Sequence, residues 1–209
     1  MPRFLDVEAS SLDANSYPIE VAWSDDQGNI ESYLINPYAI EEWTDWDYHA
    51  QQIHGISRKM CRESGMHPER VCNRMSNSIR AGETIYADGM PYDEHWIDTL
   101  YGAGSMLGHA QFRIVHSDLV MLTLLRKVEL DNNKLLELYE RLKLEAHRMV
   151  GARHRVEPDV QYLIELWKHV WLWTEGRFRV QGRLHLHRTR LHDYCIALRY
   201  HQDLIHDQV

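Results

Sequence analysis

With 209 residues, 44% of them hydrophobic, the chain can build one sizeable core, and a formal charge of −8 argues against gripping nucleic acid through a broad basic surface. No apolar run reaches transmembrane length and no basic region followed by an apolar stretch opens the chain, so a soluble cytoplasmic protein with no membrane partner is expected. The three cysteines, Cys61, Cys72 and Cys195, lack Cys-x-x-Cys spacing and suggest neither a disulfide framework nor a thiolate zinc site.

Residues 3–11 read as an opening strand. Alternate side chains of a strand share a face, so Asp6 and Glu8 point the same way with α-carbons roughly 7 Å apart. Residues 17–24 and 30–35 alternate apolar and polar around Asp25-Asp26-Gln27-Gly28-Asn29, a turn-rich cluster that predicts a hairpin. Trp43, Trp46 and Tyr48 then fall in a polar connecting stretch. The pattern next predicts a helix over about 67–80, a strand over 83–87, a helix over about 91–101 and a short strand over 113–116.

Amphipathic helices are predicted over 118–127, 132–149 and 158–173. In the last, Val160, Leu163, Ile164, Trp167, Val170 and Trp171 form a stripe at helical spacing that should face the sheet, and Pro158 suits a first helical turn. Hairpin strands first, then helices alternating with strands, give an α/β fold: one mixed sheet covered by helices. The expected organisation is a domain over 1–175 and an extension over 176–209 packed on it, with the extension ambiguous between helix and strand.

Three further positions bear on chemistry. Asp93 lies near a helix start after the 83–87 strand, in Asp88-Gly89-Met90-Pro91-Tyr92-Asp93-Glu94-His95-Trp96-Ile97, and Asp159 opens the helix beginning at Pro158. His154 precedes Asp159 by five residues, on the incoming loop. Singly, each has an ordinary explanation, since a carboxylate at a helix N-terminus is favoured by the macrodipole.

Taken together and in order, these residues resemble the DEDDh 3′-to-5′ exonucleases of the DnaQ-like, ribonuclease H-like superfamily. Asp6 and Glu8 match the Asp-x-Glu of the first strand, and Tyr92-Asp93 with Trp96-Ile97 matches an aromatic followed by Asp at a helix start. His154 and Asp159 match the closing His-to-Asp spacing, and Ile53-His54-Gly55-Ile56-Ser57 looks like a segment these enzymes often carry between the first two motifs. The likeness spans about residues 3–170. It departs at Gly89, where the family often has Asn, which leaves Asp88 as a substitute for that polar contact. The sister class with a tyrosine base would place Tyr at position 155, which here is Arg155.

The resemblance implies a ribonuclease H-like sheet and two Mg²⁺ or Mn²⁺ ions. Asp6, Glu8, Asp93 and Asp159 would be the ligands, with Glu8 bridging both ions. Four carboxylates offer the hard oxygen ligands these ions prefer, and such a pair clamps a phosphate during in-line displacement. His154 would be the general base, a role suited to the side chain that changes charge between pH 5 and 8. The implied reaction releases nucleoside 5′-monophosphates from the 3′ end of single-stranded RNA or DNA. A proofreading-type subunit beside a polymerase and a catalytically silent binding module of the same fold are the alternatives.

Substrate contacts are expected from Ser11, from Leu12 as a wedge at the terminal base and from His54, although Leu12 also fits ordinary packing and His54 a helix-end pairing with a backbone carbonyl. Trp43 and Trp46 read as a clamp of the loop onto the core more than as base-stacking platforms. The histidines at 185, 187, 192, 201 and 206 are assigned no role. The oligomeric state is open, a homodimer included.

Overall fold

A computed structural model describes residues 1–128, 130–151 and 154–181, with side chains as far as 174. Two compact units divide the chain, Met1–Thr174 and Glu175–Val209. The packing expected of the C-terminal extension, and its Leu184-His185-Leu186-His187 alternation, lie outside the described residues.

The first unit is built on a five-stranded sheet. Strands β1 (Arg3–Ala9), β2 (Pro18–Ser24) and β3 (Ile30–Leu34) form an antiparallel meander, and β4 (Thr84–Ala87) and β5 (Arg113–His116) extend it in parallel, giving the order β3-β2-β1-β4-β5. The β2–β3 turn is set by Asp25, whose Oδ1 accepts the backbone N–H groups of Gln27 and Asn29, both at 2.8 Å, and by Gly28 at φ +90°. Parallel neighbours cannot be joined by a hairpin, so helical crossovers lead into β4 and β5. They comprise α1 (Tyr48–His54), α2 (Arg58–Ser64) and α3 (Pro68–Ser78) before β4, and α4 (Tyr92–Gly104) before β5. After β5 come α5 (Ser117–Leu125), α6 (Asn132–Val150) and α7 (Val156–Gln181).

The pleat of β1 decides which helices each residue meets. Leu5, Val7 and Ala9 pack in one core with Val71 and Met75 of α3 and Trp96, Ile97 and Leu100 of α4. Phe4 and Ala22 pack in a second core with Met121 and Leu125 of α5, Leu138 and Leu142 of α6, and Val160, Leu163 and Ile164 of α7. Burying each Val, Leu, Ile, Phe or Met among these contributes about 1.5–3 kcal/mol. Asp6 and Glu8 alternate with Val7 and so lie on the face of Phe4, toward α7. This mixed sheet between helical layers is the ribonuclease H-like α/β fold.

Most predicted elements are present within a few residues. Two are additions: α1 and α2, seven residues each, occupy the stretch read as a connection. Their caps are legible afterwards, Asp47 accepting the N–H of His49 and Ser57 that of Met60, but so short a helix carries no apolar stripe for periodicity to find. Helix α7 starts at Val156 rather than Pro158 and runs to Gln181. Its stripe faces the sheet through Val160, Leu163, Ile164 and Val170, whereas Trp171 is 40% exposed and stacks on Trp167 at 6.2 Å. Among the described residues no helix is long and apolar enough to cross a membrane.

Candidate metal centre

The tertiary structure brings Asp6, Glu8 and Asp159 together, each offering an oxygen within 4.8 Å of the others. Two come from alternate positions on one face of β1 and the third from the first turn of α7, the helix packed over that face. Pairing with β2 slips register between Glu8 and Ala9, a local irregularity of the kind that re-aims side chains near functional sites. Burial, together with the charges of Asp159, Glu20 and Asp93, pushes the Glu8 carboxyl up to about 8, against the opposing pull of Arg155. A cluster that holds a proton so tightly is one whose negative charge a divalent cation would offset.

Asp93 stands beside this trio rather than within it. Its carboxylate, 1% exposed, accepts the Gly89 N–H at 2.9 Å and the Val7 backbone N–H. Strand β1 pairs with β4 only through Arg3 and Phe4, so beyond Phe4 its β4-facing edge is open to such a side chain. Burial raises the Asp93 carboxyl, and the charges of Asp88 and Asp159 add to that, while the two main-chain donors oppose it.

Asp88, read as a substitute polar contact, accepts the Ser117 hydroxyl at 3.0 Å and groups with His116 and Asp118 within 4.8 Å. Asp118 also accepts the Tyr139 hydroxyl at 2.5 Å and lies 3.7 Å from Lys143 Nζ. That second acidic group therefore has hydrogen-bond donors and a cation of its own.

His154 precedes α7 with an exposed side chain and an unusual backbone, φ +72°. A left-handed conformation costs a non-glycine residue about 1–2 kcal/mol and persists where surrounding contacts enforce it. One such contact is direct: the His154 N–H donates to Asp159 Oδ2 at 3.0 Å. The next residue supplies another. Arg155 forks onto Glu20, with Nε 2.8 Å from Oε2 and Nη2 bonded to Oε1.

Of the expected substrate contacts, Ser11 is buried and its hydroxyl donates to Asp45 Oδ2 at 2.5 Å while accepting the Asp13 N–H. Leu12 is 68% exposed just beyond β1, which removes the packing explanation. His54 is buried and, instead of pairing with a carbonyl, its Nδ1 accepts the Ile56 N–H at 3.0 Å. The imidazole proton therefore sits on Nε2, which is buried without a hydrogen-bond partner. Burial pushes the His54 imidazole down, with Arg155 adding to that and Glu20 opposing it. Trp43 is buried and stacks on Tyr17 at 5.1 Å with the rings 2° from parallel. Trp46 donates Nε1 to Gln51 at 3.0 Å, so both tryptophans do secure the loop.

Sequence reading did not single out Glu20, Arg155 or Gly89 for the parts they take here. A signal for Glu20 was available: a carboxylate in the apolar run Pro18-Ile19-Glu20-Val21-Ala22-Trp23 must find a partner once buried. Nothing local indicated that the partner would be Arg155.

Sheet order and the convergence of acidic residues at β1 and α7 define a ribonuclease H-like fold with a candidate acidic metal site. No family model and no curated protein matches the chain. Solved structures do resemble it, Exonuclease I among them. The zinc-bound E. coli ExoI complex with single-stranded DNA is 16% identical, with a TM-score of 0.54 over 94% of this chain and 43% of that one. Exonuclease I from Methylocaldum szegediense is 16% identical, with a TM-score of 0.55 over 82% of this chain and 42% of that one. E. coli Exonuclease I with a dA16 oligonucleotide is 14% identical, with a TM-score of 0.56 over 85% and 42%. The chain thus spans less than half the length of the structures it matches.

Proposed function

We infer that this chain is a metal-dependent exonuclease that removes nucleoside 5′-monophosphates from the 3′ end of single-stranded nucleic acid, DNA or RNA. The observation that carries the reading is the convergence of Asp6, Glu8 and Asp159, with Asp93 alongside, on a sheet of the shape found in Exonuclease I. Two of those structures are complexes, one with single-stranded DNA and one with a dA16 oligonucleotide, which favours the same class of ligand here.

The donor set fits Mg²⁺ or Mn²⁺. Its atoms are carboxylate oxygens, with no thiolate among them, and burial together with their mutual repulsion raises the Glu8 carboxyl. Asp6, Glu8, Asp93 and Asp159 would hold the ions. When bound, divalent ions of this kind polarise a phosphate and lower the pKa of water.

The chain's own residues supply the rest. His154, exposed beside Asp159, accepts the proton of the attacking water as general base. Backbone donors from Gly89 and Val7 orient the Asp93 carboxylate before any ligand arrives. Leu12 offers an exposed apolar edge against a terminal base, and His54 a buried N–H that a nucleotide oxygen would satisfy.

The test is directional. A 5′-labelled single strand should yield a descending ladder, and a 3′-phosphorylated or 3′-blocked strand should resist degradation. Cutting of a circular single strand would remove the exonuclease reading.

A further inference from the structure

Glu20 and Arg155 take no part in the chemistry just described, yet they form an ion pair beside it whose carboxylate is buried. Glu20 lies on β2 directly across the ladder from Glu8 and is 5% exposed, a charged group inside a core strand. Its two oxygens are taken by Nε and Nη2 of one guanidinium. A planar two-point contact fixes orientation as well as distance, which a point charge such as an ammonium does not.

What that fork fixes is the entry to α7. The Arg155 carbonyl accepts the N–H of Asp159 at 3.1 Å, so the residue is tied by its side chain to the sheet and by its backbone to the first helical turn. His154, immediately before it, has the left-handed backbone and gives its own N–H to Asp159. The segment from His154 to Asp159 is thus held at Glu20 on one side and looped back upon itself on the other.

We propose that Arg155 is a positioning residue: by forking onto Glu20 it fixes the backbone next to His154, and so sets where the imidazole stands relative to Asp6, Glu8 and Asp159. The assignment rests on the nuclease reading of that site.

Three variants test it: Arg155→Met, which removes the fork and the charge; Arg155→Lys, which keeps the charge without the fork; and Glu20→Gln, which keeps one acceptor. Each is measured for kcat and KM on a single-stranded oligonucleotide, and for the His154 amide signal in ¹⁵N–¹H correlation spectra.

Misplacement of the base should lower kcat of Arg155→Met by about tenfold to a hundredfold with KM within about threefold, and Arg155→Lys should recover only part of it. The His154 amide should move in both arginine variants and less in Glu20→Gln. A merely structural role would lower the folded fraction while leaving unchanged the kcat of folded molecules and the His154 amide signal of Glu20→Gln, a substitution 135 residues from Arg155 in sequence. Wild-type kcat in either arginine variant, or an unmoved His154 amide in Glu20→Gln, would overturn the proposal. If Arg155→Met does not fold, the kcat of Arg155→Lys and the Glu20→Gln amide decide. A wild-type protein that hydrolyses nothing would remove the nuclease reading instead, and the amide signal would still decide whether the fork holds the loop.

Discussion

Gly89 donates its backbone N–H to Asp93 Oδ2 at 2.9 Å, and a Cβ built on Gly89 would stand 2.9 Å from that same oxygen. The glycine supplies a main-chain donor to the buried acid, and its missing side chain makes room for that acid. Gly89→Ala keeps the N–H but forces the buried Asp93 carboxylate aside. Metal affinity should fall about tenfold or more, and overpacking should destabilise the fold by about 1–3 kcal/mol. Titration calorimetry with Mn²⁺ and thermal unfolding check both. An alanine variant with wild-type affinity would show that the carboxylate is not held by this contact.

The metal-free protein should lose stability as pH rises. The Glu8 carboxyl is raised from 4.5 to about 8, so across that window the folded state keeps a proton that the unfolded chain has released. The stability this group contributes is full below about pH 4.5 and is lost as pH rises through about 8. Asp93, also raised, acts in the same direction. Melting curves in chelator should therefore fall between pH 5 and 8, and Glu8→Gln should flatten the fall and raise Tm at pH 8. A wild-type Tm that climbs over this range, or a Gln variant with the same slope, would contradict it.

Divalent metal should reverse that loss and be required for turnover. Mn²⁺ at about a hundred times its Kd should add about 2.7 kcal/mol of stability to the wild type, and much less to Glu8→Gln. Excess EDTA should abolish hydrolysis and added Mn²⁺ restore it. Undiminished cleavage in EDTA would sink the metal-dependent mechanism.

Replacing His154 and replacing Asp159 should separate base from ligand. His154→Ala leaves the carboxylates in place, so metal binding should survive while kcat drops by a factor on the order of 10² to 10⁴. Asp159→Asn can still accept the His154 N–H but loses a charged ligand, so metal affinity and kcat should fall together. Calorimetry beside a pH–rate profile distinguishes the two. A His154→Ala protein with wild-type kcat at every pH would remove the base and leave only the metal-site part of the reading.

The elements were legible because their signals are local. A strand's period of two placed Asp6 and Glu8 on one face, and helical patterning found five of the seven α-helices among the described residues, failing at α1 and α2, where seven residues give no stripe. Caps and turns such as Asp25 with Gly28 are equally local, since their hydrogen bonds span four residues or fewer.

Convergence is another matter, because the partners lie far apart in sequence and meet only when layers pack. The chain itself determined that Asp6 and Glu8 share a face and that Asp159 falls in the first turn of a helix. Only the tertiary structure decided that this helix covers that face, bringing Asp159 within 4.8 Å of both, and that Asp93 reaches the open edge of β1 to take the Val7 N–H. It also decided that Glu20 and Arg155, 135 residues apart, join beside Glu8. A buried carboxylate requires a partner, but the sequence leaves the partner unnamed: many surface arginines offer the same charge, and only the packing of α7 on the sheet puts this one within reach.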